Sequence, residues 1–325
     1  MDYVTQVNEA LRTELASRKT TVVFGQNVNA GSRLGGLARD FGSIAGCRVI
    51  NTPNTENSLV GMGFGLMLSG IPSMYVMKQQ DFVLLGVDHL VNTWNALRAR
   101  GPFVPFVMAM VVVDSGWEGP QSGFNNTGAL ASMSRIPAFF PTGEAEIPLA
   151  VAGAFQGGPA LLAISQRLFR AVPAGSERNH SLLAEDSYTI RRVLADREGS
   201  RSLLVLSSNF SLDQASVIQD AALRNGYSVT VVSFFRHTER ADERLISLCS
   251  EADLLVAIDD AKSTLVPNNG IYADIRHRLP RVQMESLSRI DVGDWAFPRQ
   301  DNLSLDSDTV SDLVRSIPDT DCAAR

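Results

Sequence analysis

Glu56 stands in the run Asn51-Thr-Pro-Asn-Thr-Glu-Asn57, where a short strand at 48–51, expected to be buried, gives way through Pro53 to a long apolar helical stretch. Its neighbours are small or uncharged, and a lone carboxylate in such surroundings is costly unless something pairs with it. The plainer alternative is an acidic side chain in the first turn of a helix, complementing the backbone dipole. A second candidate group, Gln79 and Phe82, follows an apolar run that ends at Met77. A third lies in the loop 114–126, Asp-Ser-Gly-Trp-Glu-Gly-Pro-Gln-Ser-Gly-Phe-Asn-Asn. Its Gln121, Ser122 and Asn125 can hydrogen-bond a ligand oxygen, but none is an ordinary base near neutral pH. Turn formation is the competing reading for these loop residues.

The elements that would position these residues alternate. Continuous apolar runs at 21–24, 73–77, 103–113 and 160–164 read as strands buried on both faces, and 84–98 and 144–155 read as helices. That alternation predicts a mainly parallel sheet with helices on both sides. A second set of strands, at 203–206, 228–234, 254–258 and 281–285, alternates with helices at 213–224, 241–249 and 308–317. The expected fold class is therefore α/β with two doubly wound domains: 1–175, a linker at 176–200 without sustained periodicity, and a smaller domain at 201–325.

Composition excludes several functions. The chain has 325 residues and a net charge of -6 spread without long single-sign blocks, so no nucleic-acid footprint is expected. The three cysteines, at 47, 249 and 322, show no metal spacing and form no even framework, which fits a reducing cytoplasm. The start of the chain places Val4, Val7, Leu11 and Leu15 on one helix face among charged residues, unlike a signal peptide. The uncharged stretch 58–77 is long enough to raise a membrane span, but four glycines and Pro72 divide it into a helix and a strand. The four histidines are unpaired at metal-ligand spacing, and Asp259-Asp260 at a strand end reads as capping rather than as a metal site. Gly61, Gly63 and Gly65 follow a G-x-G-x-G pattern inside a helix, which is no phosphate loop; close packing, expected against a neighbouring subunit, is their better explanation.

Taken in order, Phe24-Gly-Gln-Asn-Val28, Arg48-Val-Ile-Asn-Thr-Pro-Asn-Thr-Glu56, Gly61-Met-Gly-Phe-Gly65, Gln80-Asp-Phe-Val-Leu-Leu-Gly-Val-Asp88 and Asn269-Gly-Ile-Tyr-Ala-Asp-Ile275 carry a resemblance. The chain resembles the beta subunit of 2-oxo acid dehydrogenases and the C-terminal half of transketolase, both thiamine diphosphate enzymes. The resemblance runs nearly end to end and implies a pyrimidine-binding domain followed by a transketolase C-terminal-like domain. It implies that Glu56 hydrogen-bonds the cofactor's pyrimidine nitrogen and favours the tautomer able to deprotonate the thiazolium ring. It implies that Phe82 stacks on the pyrimidine, with Gln79 standing where transketolases carry a further aromatic. Gln121, Ser122 and Asn125 fall on the substrate side, where the family usually has a histidine and this chain has none.

The family holds the diphosphate through a divalent metal bound by Gly-Asp-Gly and a downstream Asn. This chain's single Gly-Asp pair, Gly293-Asp294, is followed by Trp295. The resemblance thus implies a split enzyme acting on a ketose or 2-oxo acid. An alpha-like subunit would supply the diphosphate site and Mg2+, in a heterotetramer with two copies of each chain. The alternative is a non-catalytic scaffold or regulatory subunit that keeps the fold and the pairing surface.

Overall fold

The computed structural model describes residues 1–114, 125–174, 181–194, 200–259, 269–288 and 312. Internal packing divides the chain into two compact units that part between Pro173 and Ala174.

In the first unit, the strands are β1 (Thr21–Gly25), β2 (Cys47–Asn51), β3 (Ser73–Met77), β4 (Pro105–Val112), β5 (Ala138–Phe139) and β6 (Gly158–Ser165). They form one sheet in the order β2-β1-β3-β4-β6-β5, parallel throughout. Every residue of β3, β4 and β6 is buried, as the unbroken apolar runs require of strands covered on both faces. The helices are α1 (Tyr3–Ala16), α2 (Glu56–Leu68), α3 (Trp94–Leu97), α4 (Thr127–Ser134) and α5 (Glu146–Ala154). Asp2 caps α1 by accepting from the Thr5 N–H at 3.1 Å, and the face carrying Val4, Val7, Leu11 and Leu15 is buried as expected. No helix among the described residues is long and apolar enough to cross a membrane.

The second unit has β7 (Ser181–Ala184), β8 (Tyr188–Val193), β9 (Ser202–Ser208), β10 (Ser228–Phe234), β11 (Leu254–Asp259) and β12 (Met284–Ser288). Their order is β12-β11-β9-β10-β8-β7, parallel except where β8 meets β10 and β7. Helices α6 (Leu212–Arg224), α7 (Glu243–Ser250) and α8 (Asn269–Arg278) complete it. The two units are thus an α/β parallel sheet and an α/β mixed sheet. Residues 181–193, expected within a surface linker, instead pair as the edge hairpin β7–β8. Arg191 and Arg192 made that stretch read as charged coil, yet Arg191 is buried and donates to Thr189 Oγ1 at 2.9 Å. The helix expected at 308–317 lies outside the described residues apart from position 312.

The expected helix at 84–98 is also not continuous. A 3₁₀ turn (Gln80–Gly86), a π turn (His89–Thr93) and the short α3 replace it. The cause is close packing on α2. A Cβ at Gly86 would come within 2.6 Å of Val60 Cγ2, and one at Gly61 within 2.9 Å of His89 Nε2. Helix α2 lies equally tightly on the sheet, because a Cβ at Gly63 would overlap the Phe106 ring. Two of the three glycines expected to face a neighbouring subunit are therefore used inside this chain, and only Gly65 faces open space. The Gly63→Ala substitution should lower stability by about 2 kcal/mol, as overpacking a core does. Gly65→Ala should raise it by roughly 0.5 to 1 kcal/mol through reduced chain entropy. Urea unfolding of the two variants checks the opposite signs.

Candidate functional site

Helix α2 begins at Glu56 because Pro53 and the extended chain behind it cannot continue a helix backwards. Thr55 occupies the cap position but makes no side-chain capping bond. At the other end Gly70, at φ 74°, supplies the left-handed residue that closes the helix, with the Ile71 N–H donating to the Leu66 carbonyl at 2.9 Å. The apolar body between these ends packs on the sheet and holds Glu56 where strand β2 runs out.

Glu56 is 7% exposed. Among the described residues no hydrogen bond or ion pair engages its carboxylate. Its charge is felt by Tyr75 on β3, whose hydroxyl pKa is raised, first by burial and then by Glu56. The Tyr75 ring stacks on Phe24 of β1, its register neighbour, at 5.2 Å between centroids and 6° between planes. Stacked aromatics therefore lie within electrostatic reach of an acid that no described residue hydrogen-bonds or pairs with.

The turn Gln80–Gly86 lies directly against this helix, for a Cβ at Gly86 would sit 3.5 Å from the Glu56 carbonyl oxygen. Gln79 is buried and Phe82 half-buried, the Phe82 N–H donating to the Gln79 carbonyl at 3.3 Å. Sequence reasoning missed the residue between them. Gln80 is buried; its Nε2 donates to Thr127 Oγ1, and its Oε1 accepts from the Asn126 N–H at 3.0 Å. Thr127 Oγ1 in turn donates to Asn125 Oδ1 at 2.8 Å. One amide thus ties the segment beyond β3 to the end of the loop beyond β4. Gln80 opens the motif at 80–88, but nothing in the sequence marks it as a brace to Asn126 and Thr127.

The structure accordingly gathers Glu56, Gln79, Phe82 and Asn125 on neighbouring elements at the carboxyl end of one sheet. Gln121 and Ser122 lie outside the described residues. Nearby, Asp114 at the end of β4 is buried, accepting from Ser165 Oγ at 2.5 Å and from the Arg167 N–H at 2.7 Å. Burial raises its pKa, against the lowering effect of Arg167 and these hydrogen bonds. His89 touches α2 and shares its Nδ1 with Thr93 Oγ1 at 3.0 Å. Among the described residues no three His, Cys, Asp or Glu side chains gather to hold a metal.

A parallel first sheet followed by a mixed second sheet is the fold that the chain shares with the beta subunits of thiamine diphosphate enzymes and the transketolase C-terminal half. Over 309 residues the chain is 20% identical to the pyruvate dehydrogenase E1 component subunit beta of Staphylococcus aureus, covering 92% of this chain and 91% of that one. The corresponding subunit of Bacillus subtilis is 21% identical over 308 residues, with the same coverage. A solved split-gene transketolase, described as an inactive beta4 tetramer, superposes with a TM-score of 0.66 at 14% identity, covering 95% of this chain and 97% of that one. No protein-family model matches the chain.

The Gln80 brace makes a prediction. Gln80→Leu removes the acceptor of the Asn126 N–H and the donor to Thr127, and should cost roughly 1 to 2 kcal/mol in unfolding free energy. Hydrogen exchange should show the loss as faster exchange at Asn126 and Thr127.

Proposed function

We propose that this chain is the beta-type subunit of a split thiamine diphosphate-dependent enzyme, transferring a two-carbon or acyl unit from a ketose or 2-oxo acid. The observation that carries the reading is Glu56: a buried carboxylate without a protein partner among the described residues, beside stacked aromatics at the edge of a parallel sheet. Such a group fits the nitrogen-rich pyrimidine edge of the cofactor, whose ring nitrogen accepts a hydrogen bond from a protonated carboxyl group or, once protonated, donates one to the carboxylate. When bound, the cofactor supplies a nucleophilic carbon that the side chains of this protein cannot provide. In this reading Glu56 holds a proton at the pyrimidine nitrogen, while Phe82 and Gln79 orient the ring. Asn125, with Gln121 and Ser122, lies toward the substrate.

The 1–175 region is the proposed pyrimidine-binding domain, 201–325 is the transketolase C-terminal-like domain, and the β7–β8 hairpin joins the second sheet. An alpha-like partner would bring Mg2+ and the diphosphate site, in a cytoplasmic heterotetramer. The end-to-end alignment with pyruvate dehydrogenase beta subunits supports the pairing. A scaffold role is the second reading. It is favoured by the absence of histidine from the loop 114–126 and by the engagement of Asn125 Oδ1 with Thr127.

Glu56→Gln, reconstituted with the alpha-like subunit, should lose at least about 100-fold in turnover, the scale of a removed acid-base group. Calorimetric titration of thiamine diphosphate and magnesium into the mixed subunits accompanies it. Near-normal turnover of the variant, or cofactor affinity equal to that of the alpha-like chain alone, would sink the enzymatic reading in favour of the scaffold.

A further inference from the structure

The carboxyl edge of the first sheet also carries a cleft of about 330 Å3. Asn27, Ser32, Lys78 and Gln166 contribute polar groups to its lining, and Val111 and Phe169 contribute apolar ones. In open parallel sheets, ligand crevices form at strand carboxyl ends where the chain order reverses. Here β2 lies on one side of β1 and β3 on the other, so the reversal falls between β1 and β3, from whose ends Asn27 and Lys78 project.

Among the described residues the cleft's lining holds one formal charge, the Lys78 ammonium, and no carboxylate. Neighbouring cations are committed elsewhere: Arg33 pairs with Asp40 at 3.2 Å and Arg167 with Asp114 at 3.7 Å. Lys78 is exposed and makes no ion pair among the described residues. In a chain of net charge -6, this is a local reversal of sign at the one edge where the fold gathers its candidate site. The walls are also fixed in advance. Asn27, Arg33 and Leu34 hold left-handed backbone at φ 58°, 49° and 56°, a conformation that Asn adopts readily but that Arg and Leu adopt only where their surroundings enforce it. The Asn29 N–H donates to Asn51 Oδ1 at 2.9 Å, pinning the loop to the end of β2. Gly35 lies close enough to Phe169 that a Cβ would stand 3.2 Å from its ring.

The geometry points to an oxyanion site anchored by Lys78, taking the phosphate or carboxylate of a small molecule, with the Asn27 amide and the Ser32 hydroxyl as further donors. Lysine suits this task as a mobile point charge carrying three donors. Only β1 separates β2 from β3, so the strand ends leading to Glu56 and to Lys78 lie about 10 Å apart, two inter-strand spacings. A substrate reacting beside α2 can therefore carry its anionic group to Lys78. That the anion belongs to this substrate rests on the function proposed above; anion binding by the chain does not.

The test titrates the full-length chain calorimetrically with inorganic phosphate, with acetate and with uncharged glycerol at constant ionic strength. Phosphate or acetate should bind and glycerol should not, and the better of the two anions identifies the group. Lys78→Met should weaken that binding about tenfold or more, as loss of a charged hydrogen-bond donor does, and Lys78→Arg should keep it within about threefold. Amide shifts of Asn27 and Ser32 on adding phosphate or acetate to the unsubstituted chain locate the site without relying on a variant. Failure of both anions to bind at millimolar concentration, unchanged affinity in Lys78→Met, or shifts confined to other residues would each overturn the proposal. Because no thiamine or partner subunit enters the assay, its failure leaves the cofactor reading standing, and the converse also holds.

Discussion

Every strand of the first sheet runs the same way, and that constraint organises what this chain can do. Parallel pairing needs a crossover between strands, so the helices cover both faces and the strand interiors become inaccessible. All eight residues of β4 and all eight of β6 are buried. What remains for chemistry is the edge where the strands end, and the side chains that matter project from there. Glu56 follows β2, Gln79 to Phe82 follow β3, and Asn125 closes the loop after β4. Their meeting is a consequence of chain direction rather than of proximity in sequence.

At that edge the energetics of Glu56 decide the reading. Burying an ionised carboxylate costs several kcal/mol even after the protein relaxes. A position at a helix N-terminus returns about 2 kcal/mol in favourable, partly buried geometry, and usually less. The helix start offsets part of such a cost, and no described residue hydrogen-bonds or pairs with the carboxylate. Tyr75 on β3 is itself penalised by the charge.

Legibility in the sequence followed the physics of each element. Strands β1, β3, β4 and β6 were readable because burial demands unbroken apolar runs, and α1 because four of its buried positions repeat with helical spacing. Strand β2, expected to be buried, instead has Arg48 and Asn51 exposed at the edge of the sheet, and the two-residue β5 was too short to read. The segment 84–98 was misread because Gly86 and Gly61 draw it against α2, and no periodicity encodes the 3₁₀ and π turns that result. The hairpin β7–β8 was missed because two arginines sit in an edge strand, one of them buried by a hydrogen bond that only the fold supplies. Glu56 stood out as a charge among apolar residues. Gln80 and Lys78 did not, since a brace and a cleft cation depend on residues dozens of positions away.

The same network limits what the described part of the site can do with a proton. Asn125 Oδ1 already accepts from Thr127, and Thr127 is held by Gln80, so this side of the site is a rigid arrangement of amides and a hydroxyl. Such groups position a ligand but do not titrate near neutrality. Asp114 is locked between Ser165 and Arg167, and the His89 ring is packed on α2 with Thr93 on its Nδ1. Glu56, by contrast, makes no hydrogen bond or ion pair among the described residues.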